Sequence, residues 1–225
     1  MIRFFYLFVL LIVLFSACKN TSVQQSMRNS YHKSLSFFGD SLVKHFPKEF
    51  EHGGYSTTVL GSIDTIRYFF KTHRMYFYTK YSDQEYPAIR SRVDSLTKAV
   101  YDANDSTLLL IFDYLDKVEA DGRVFDDTAT PLEKELARRN KNTSKSLPIP
   151  LFSDETGAIY TSITYSGFRD GFKLYVLGAD SGFFLPSNKL SDSSVCLPEK
   201  WEHGYSRGVA LNDQTKEAIY WIMVW

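Results

Sequence analysis

The last nine residues, Glu217-Ala-Ile-Tyr-Trp-Ile-Met-Val-Trp225, constrain the fold of this chain more than any other stretch. They are almost wholly apolar and rich in aromatic and β-branched types, which suits a strand with no polar face to offer water. Such a strand has to be central or well covered, because an exposed one would pair with a neighbouring chain. The preceding Arg207-Gly-Val-Ala-Leu211 and the turn Asn212-Asp-Gln-Thr215 complete a β-hairpin. By the period of two, Trp221 and Trp225 lie on one side of it.

Upstream, the apolar pattern switches between two periods. Residues 30–46 carry Leu35, Phe38, Leu42 and Phe46 at helical spacing, flanked by Tyr31 and Val43, and Pro47 supplies the stop. Residues 66–71 and 75–81 are rich in β-formers and predict two strands joined as a hairpin. After Tyr86-Pro87, the residues Ile89, Val93, Leu96 and Val100 predict a helix running to about Ala103. Thr107–Phe112 reads as a buried strand, and residues 158–165 and 172–177 as antiparallel strands. The charged stretch from Asp113 to Pro150 is the least ordered by composition, with a short helix possible over 131–140. Together these segments predict an α+β fold: a single domain over residues 30–225, with helices packed on a mostly antiparallel sheet.

The other end of the chain carries an address. Arg3 is followed by an apolar run from Phe4 to Phe15, which is short against the roughly 20 residues of a spanning helix but fits a signal-peptide core. Phe15-Ser16-Ala17-Cys18 follows, and this tetrapeptide resembles the lipobox of bacterial lipoproteins, with Phe15 departing from the usual Leu. The resemblance implies that residues 1–17 are a signal peptide and that Cys18 receives acyl chains, palmitate among them. Two or three such chains hold a protein to a bilayer almost permanently, where one alone binds reversibly. Residues 18–29 then read as the lipidated Cys and a flexible polar tether. Lys19 in place of an Asp resembles the outer-membrane rather than the inner-membrane class, and no acidic export cluster follows. The implied location is the outer membrane, lipid-anchored and periplasm-facing.

With the signal removed, the balance is 25 basic against 26 acidic residues, so no strong field steers nucleic acid. Cys18 and Cys196 are the only cysteines, and lipidation of the first leaves no disulfide framework. Cys196 reads as a small buried hydrophobe. Phosphate loops, nucleophile elbows and dinucleotide fingerprints are missing, and the acidic residues from Asp113 to Asp127 fail the EF-hand spacing. No metal and no cofactor is expected. Glu51-His52-Gly53-Gly54-Tyr55 and Glu202-His203-Gly204-Tyr205 share a histidine beside a carboxylate, a pairing that can serve a general base. Neither has metal-site spacing, and two glycine turns account for both strings more simply.

Five tripeptides begin Asp-Ser or Asp-Thr and end in an apolar residue or Thr, against about one expected by composition. They resemble the O-glycosylation sequon of Bacteroidetes envelope proteins, implying modification at Ser41, Thr65, Ser95, Ser106 and Thr128. Helix caps and turns also produce Asp-Ser. The segment from Leu197 to Ala210 and the terminal strand are similar to lipoproteins of gut Bacteroidetes, a resemblance that implies no activity.

The expectation is a membrane-anchored lipoprotein, a non-enzymatic interaction module that contacts a protein or glycan through an aromatic sheet surface. Its alternatives are a small periplasmic hydrolase using His52 or His203, which would have to converge in one pocket, and an immunity-type lipoprotein.

Overall fold

The computed structural model describes residues 24–50, 54–59, 69–70, 72–119, 122–125, 134–135, 138–140, 146–152, 164–168, 170–190 and 197–225. Its centre is a six-stranded antiparallel sheet in the order β1-β3-β11-β10-β9-β4. These strands are β1 (Tyr55–Val59), β3 (His73–Lys80), β4 (Ala99–Asp102), β9 (Phe172–Ser181), β10 (Gly204–Asn212) and β11 (Glu217–Val224). The α+β expectation holds.

The terminal strand sits where its composition requires. β11 is paired on both sides, by β10 and by β3, and Trp221 to Trp225 are fully buried. The β10–β11 turn is closed by the Asn212 side chain, which accepts from the backbone N–H groups of Gln214 (3.0 Å) and Thr215 (3.1 Å). Trp221 crosses over Gly208, where a Cβ would lie 2.3 Å from the indole and from the Tyr175 carbonyl oxygen. Only glycine admits that crossing. A β-bulge in β9 falls at the same level, between Arg207 and Gly208.

One face of the sheet is covered by helices. α1 (residues 24–38) and α2 (Asp40–Val43) are separated by Gly39 at φ 79°, and α3 (Tyr86–Leu96) lies beside them. Tyr31, Phe38, Leu42, Val43, Phe46 and Val93 pack there on Met75, Phe77, Val209 and Ile222. The helical stripe is therefore as predicted, but the helix is broken at Gly39. It also begins earlier than expected: residues 24–29, read as tether, form the exposed first turns of α1.

The opposite face is covered by irregular chain and a two-stranded parallel ladder, β5 (Leu109–Ile111) with β8 (Pro148–Pro150). Leu108 to Ile111 are completely buried, as the apolar run predicted. Around them Phe152, Phe168, Trp201, Trp221 and Trp225 share one core. A third small sheet joins β2 (Phe69–Phe70), β6 (Tyr114–Glu119) and β7 (Gly122–Phe125) in the order β2-β6-β7.

Two sequence expectations fail here. The segments at 66–71 and 75–81 are not a hairpin: β2 pairs with β6, while β3 joins the central sheet. The helix expected to reach Ala103 stops at Leu96, where the Thr97 hydroxyl and backbone N–H turn back to the carbonyls of Val93 and Asp94. Residues 99–102 then form β4 against β9, and Val100, counted as a core position, is exposed. The strand expected over 158–165 lies outside the described residues, apart from a turn at Thr164 and Tyr165.

Candidate functional site

Among the described residues, the aromatic side chains at the middle of the sheet do not reach the surface. Tyr76, Phe77, Tyr175, Tyr220 and Trp221 are all buried, because both faces are covered.

At one end, β9 finishes at Ser181 and the chain crosses to β10 over residues 182–203. Gly182 has φ +125°, a conformation open to glycine alone, and its N–H donates to the His203 carbonyl at 3.0 Å. That closure sets the next residue, Phe183, against the His203 ring, with centroids 4.6 Å apart and planes inclined by 36°. Phe183 is 69% exposed, the highest value among the exposed large apolar side chains of the described residues. Phe184 turns the other way and meets Tyr205 edge-on at 4.5 Å. Exposed Asp180, Ser181 and Glu202 flank the pair along the chain, and the Lys200 ammonium lies 5.1 Å over the Trp201 ring.

His203 is the one member of the predicted histidine pair that can be placed; His52 lies outside the described residues, as do Glu51 and Gly53. The His203 Nδ1 is buried without a hydrogen-bond partner, and no carboxylate bonds its ring among the described residues. A general base needs an orienting partner and an open path to the reacting proton. His203 instead supports a ring. No cluster of three or more His, Cys, Asp or Glu side chains suited to a metal occurs among the described residues.

Two other polar clusters are pins in the fold. Asp113 pairs with Arg74 at 2.5 Å and accepts from the Thr72 backbone N–H at 2.6 Å, tying the start of β3 to the segment after β5. Arg90 bonds both oxygens of Asp213 at 2.7 Å, and the Tyr86 hydroxyl donates to the same carboxylate, locking α3 to the β10–β11 turn. The Arg90 hydrogen bonds hold the Asp213 carboxyl below its ordinary range.

Two buried histidines went unremarked in the sequence. His45 faces the Trp221 carbonyl through Nε2 at 2.9 Å, and burial drives its pKa down to about 3. His73 makes the same kind of contact with the Lys189 carbonyl, and burial lowers its pKa as well. Their only signal was position, since His45 follows the apolar stripe of α2 and His73 opens a strand.

Of the sequon residues, Ser41, Ser95 and Ser106 are exposed, and Thr65 and Thr128 lie outside the described residues. Asp105, which precedes Ser106, caps a turn by accepting from the Thr107 N–H at 2.8 Å. Ser95 is in the last turn of α3, not in mid-helix. Cys18 and Cys196 are outside the described residues, and no described helix is long and apolar enough to cross a membrane. No family model matches the chain, and neither a curated protein nor a solved structure is significantly similar to it.

Proposed function

We propose that the chain is a lipid-anchored, non-enzymatic interaction module, held at the periplasmic side of the outer membrane through Cys18. The lipobox-like tetrapeptide supports the anchor. The observation that carries the interaction reading is Phe183. A large apolar ring is held 69% exposed by a glycine-built turn and a histidine whose own ring is spent on supporting it. Aromatic residues, Phe among them, are enriched at protein interfaces relative to the rest of the surface. Sugar attachment at Ser41, Ser95 and Ser106 belongs to the same reading, supported by their exposure.

Cys18→Ser should move the protein from the membrane to the soluble fraction, and mass spectrometry of the native protein should find acyl chains on Cys18 and hexose on the three serine peptides. A photoreactive benzoylphenylalanine at position 183 should form adducts in intact cells, while the same group at Met27, also exposed, should not. Adducts at neither position, or equally at both, would remove Phe183 as a contact surface.

A further inference from the structure

We infer that β4 is the contact edge of a homodimer, in which two copies of this chain pair β4 against β4 antiparallel and join their sheets.

The central sheet ends in β1 on one side and β4 on the other. Ser56 to Thr58 of β1 are half-buried, whereas β4 alternates half-buried Ala99 and Tyr101 with exposed Val100 and Asp102. Val100 is 49% exposed. It lies opposite Tyr175, and Asp102 opposite Lys173, so both side chains stand on the helical face of the sheet, beyond its cover. Lys98 precedes them at the same spacing and is exposed too. No described strand pairs with the outer side of β4. The Lys98 N–H donates inward to the Val176 carbonyl at 2.8 Å, while the Ala103 carbonyl accepts from Ser166, on a different segment, at 3.0 Å. By alternation the N–H and C=O groups of Ala99 and Tyr101 point out of the sheet edge.

An edge that carries a lysine ordinarily repels a copy of itself. The order Lys98-Ala-Val-Tyr-Asp102 removes that obstacle. Antiparallel pairing about a two-fold axis at Val100 sets Lys98 across from the partner's Asp102 and Val100 across from the partner's Val100. Ala99 then faces the partner's Tyr101, and their outward N–H groups meet each other's outward carbonyls. Each Asp102 comes to lie between Lys173 of its own chain and the partner's Lys98, a row of alternating charge that favours cross-strand pairing. An axis at Ala99 or Tyr101 loses both charge pairs, and an axis at Tyr101 also needs the Ala103 carbonyl that Ser166 already uses. The strand is thus complementary to itself in charge, apolar contact and hydrogen bonding, and the occupant that fits it is a second copy.

The axis stands perpendicular to the sheet, so both helical faces, and both α1 segments, lie on one side of the joined sheet. The Phe37 ring meets His73 at 5.3 Å and the Tyr31 ring meets Phe77 at 5.0 Å, which puts residue 24 toward the Lys80 end of β3. Val224 is level with His73 and Tyr205 with Val224, so Phe183 is at the other end. β4 reaches only to Val176 of β9, short of Ser181 and Phe183. Two chains anchored in one bilayer can therefore pair with each Phe183 clear of the seam. A ladder of 4 residues buries less than the roughly 1,200–2,000 Å² of a standard interface, and tethering to a surface supplies the local concentration it needs. That last step rests on the anchored reading above; the self-complementary edge does not.

The test is disulfide trapping of the full chain in intact cells, in a Cys196→Ser background. Facing residues of a non-hydrogen-bonded pair have Cα atoms about 4.5 Å apart, within the roughly 4.4–6.8 Å that a disulfide spans. Val100→Cys should therefore give a covalent dimer under mild oxidation, several-fold more than Met27→Cys, which is exposed on α1 away from the seam. In the Val100→Cys chain, Lys98→Asp should cut the yield several-fold, as should Asp102→Lys, and the two together should restore it. Restoration is the decisive readout, because Asp102 also accepts from the Asn104 N–H at 2.9 Å and its loss alone would loosen the turn. Equal yields at positions 100 and 27, a yield unmoved by either charge exchange, or a double exchange without restoration each overturns the dimer. A position-100 dimer recovered in the soluble fraction keeps the pairing and overturns the anchor.

Discussion

The two faces of the central sheet are covered by different means. On one, helices lay down a stripe of mostly apolar side chains, because a helix satisfies its own backbone, with His45 and His73 reaching backbone carbonyls among them. On the other, irregular chain has to borrow side chains for its peptide groups. The buried Asn140 amide accepts from the Leu110 N–H (3.2 Å) and donates to the Leu110 carbonyl (2.7 Å), acting as the missing neighbour strand. Ser146 accepts from the Leu109 N–H and donates to the Thr107 carbonyl, both at 3.0 Å. The Tyr101 hydroxyl accepts from the Leu147 N–H, and Thr164 bonds the Phe168 carbonyl. The loop-covered face is therefore held by polar side chains that stand in for strand partners, while the helical face carries its own polar pins in His45 and His73, and each is a point of failure.

Truncation should separate the faces first. Trp221→Ala, on the irregular face, should cost about 3–5 kcal/mol in urea unfolding, since the indole is wholly buried and its N–H bonds Ser206. Leu42→Ala, at the rim of the helical face, should sit near the low end of about 2–5 kcal/mol. Equal losses would mean that the two covers collapse equally well around a cavity, and the contrast would go.

Asn140→Ala comes next. It leaves a buried N–H and a buried carbonyl of Leu110 without partners, an expected loss of about 2–4 kcal/mol. Hydrogen exchange should show β5 opening while β11 stays protected. A loss under about 0.5 kcal/mol would show that the loop cover finds other partners.

A further effect belongs to the helical face, and it appears on acidification. His45 and His73 titrate lower in the folded chain than in the unfolded one, so stability is full above the ordinary histidine range. It falls as the pH drops below about 6.5, because only the unfolded chain takes up protons, and for His45 the fall continues toward its folded pKa of about 3. Each such histidine contributes up to about 1.4 kcal/mol per pH unit. The urea midpoint should drop between pH 7 and pH 5, and His45→Gln, which keeps a donor for the Trp221 carbonyl, should flatten the slope. An unchanged slope would clear His45 of the effect.

Legibility in the sequence followed the same division. The α1–α2 stripe and the β10–β11 hairpin were readable because each is local: the spacing of apolar residues and a four-residue turn carry the whole signal. β4 was not readable. Val100 continues the helical spacing of Val93 and Leu96, and only pairing with β9 makes residues 99–102 a strand. β2 was misassigned for the same reason, since its partner β6 lies more than forty residues on. Phe183 could have been suspected from Gly182-Phe-Phe184, two aromatic rings directly after a glycine turn, but which of them faces water is decided by Tyr205 and His203.

By itself, then, the sequence determined a buried terminal strand, the helical stripe and an α+β domain, all of which depend on neighbours in the chain. Tertiary structure alone decided that the sheet is buried on both faces, that His203 supports a ring, and that Phe183 stands at the end opposite α1's entry. Those facts depend on which distant segments meet, and the free energy that selects them comes from burial and pairing between segments far apart in sequence.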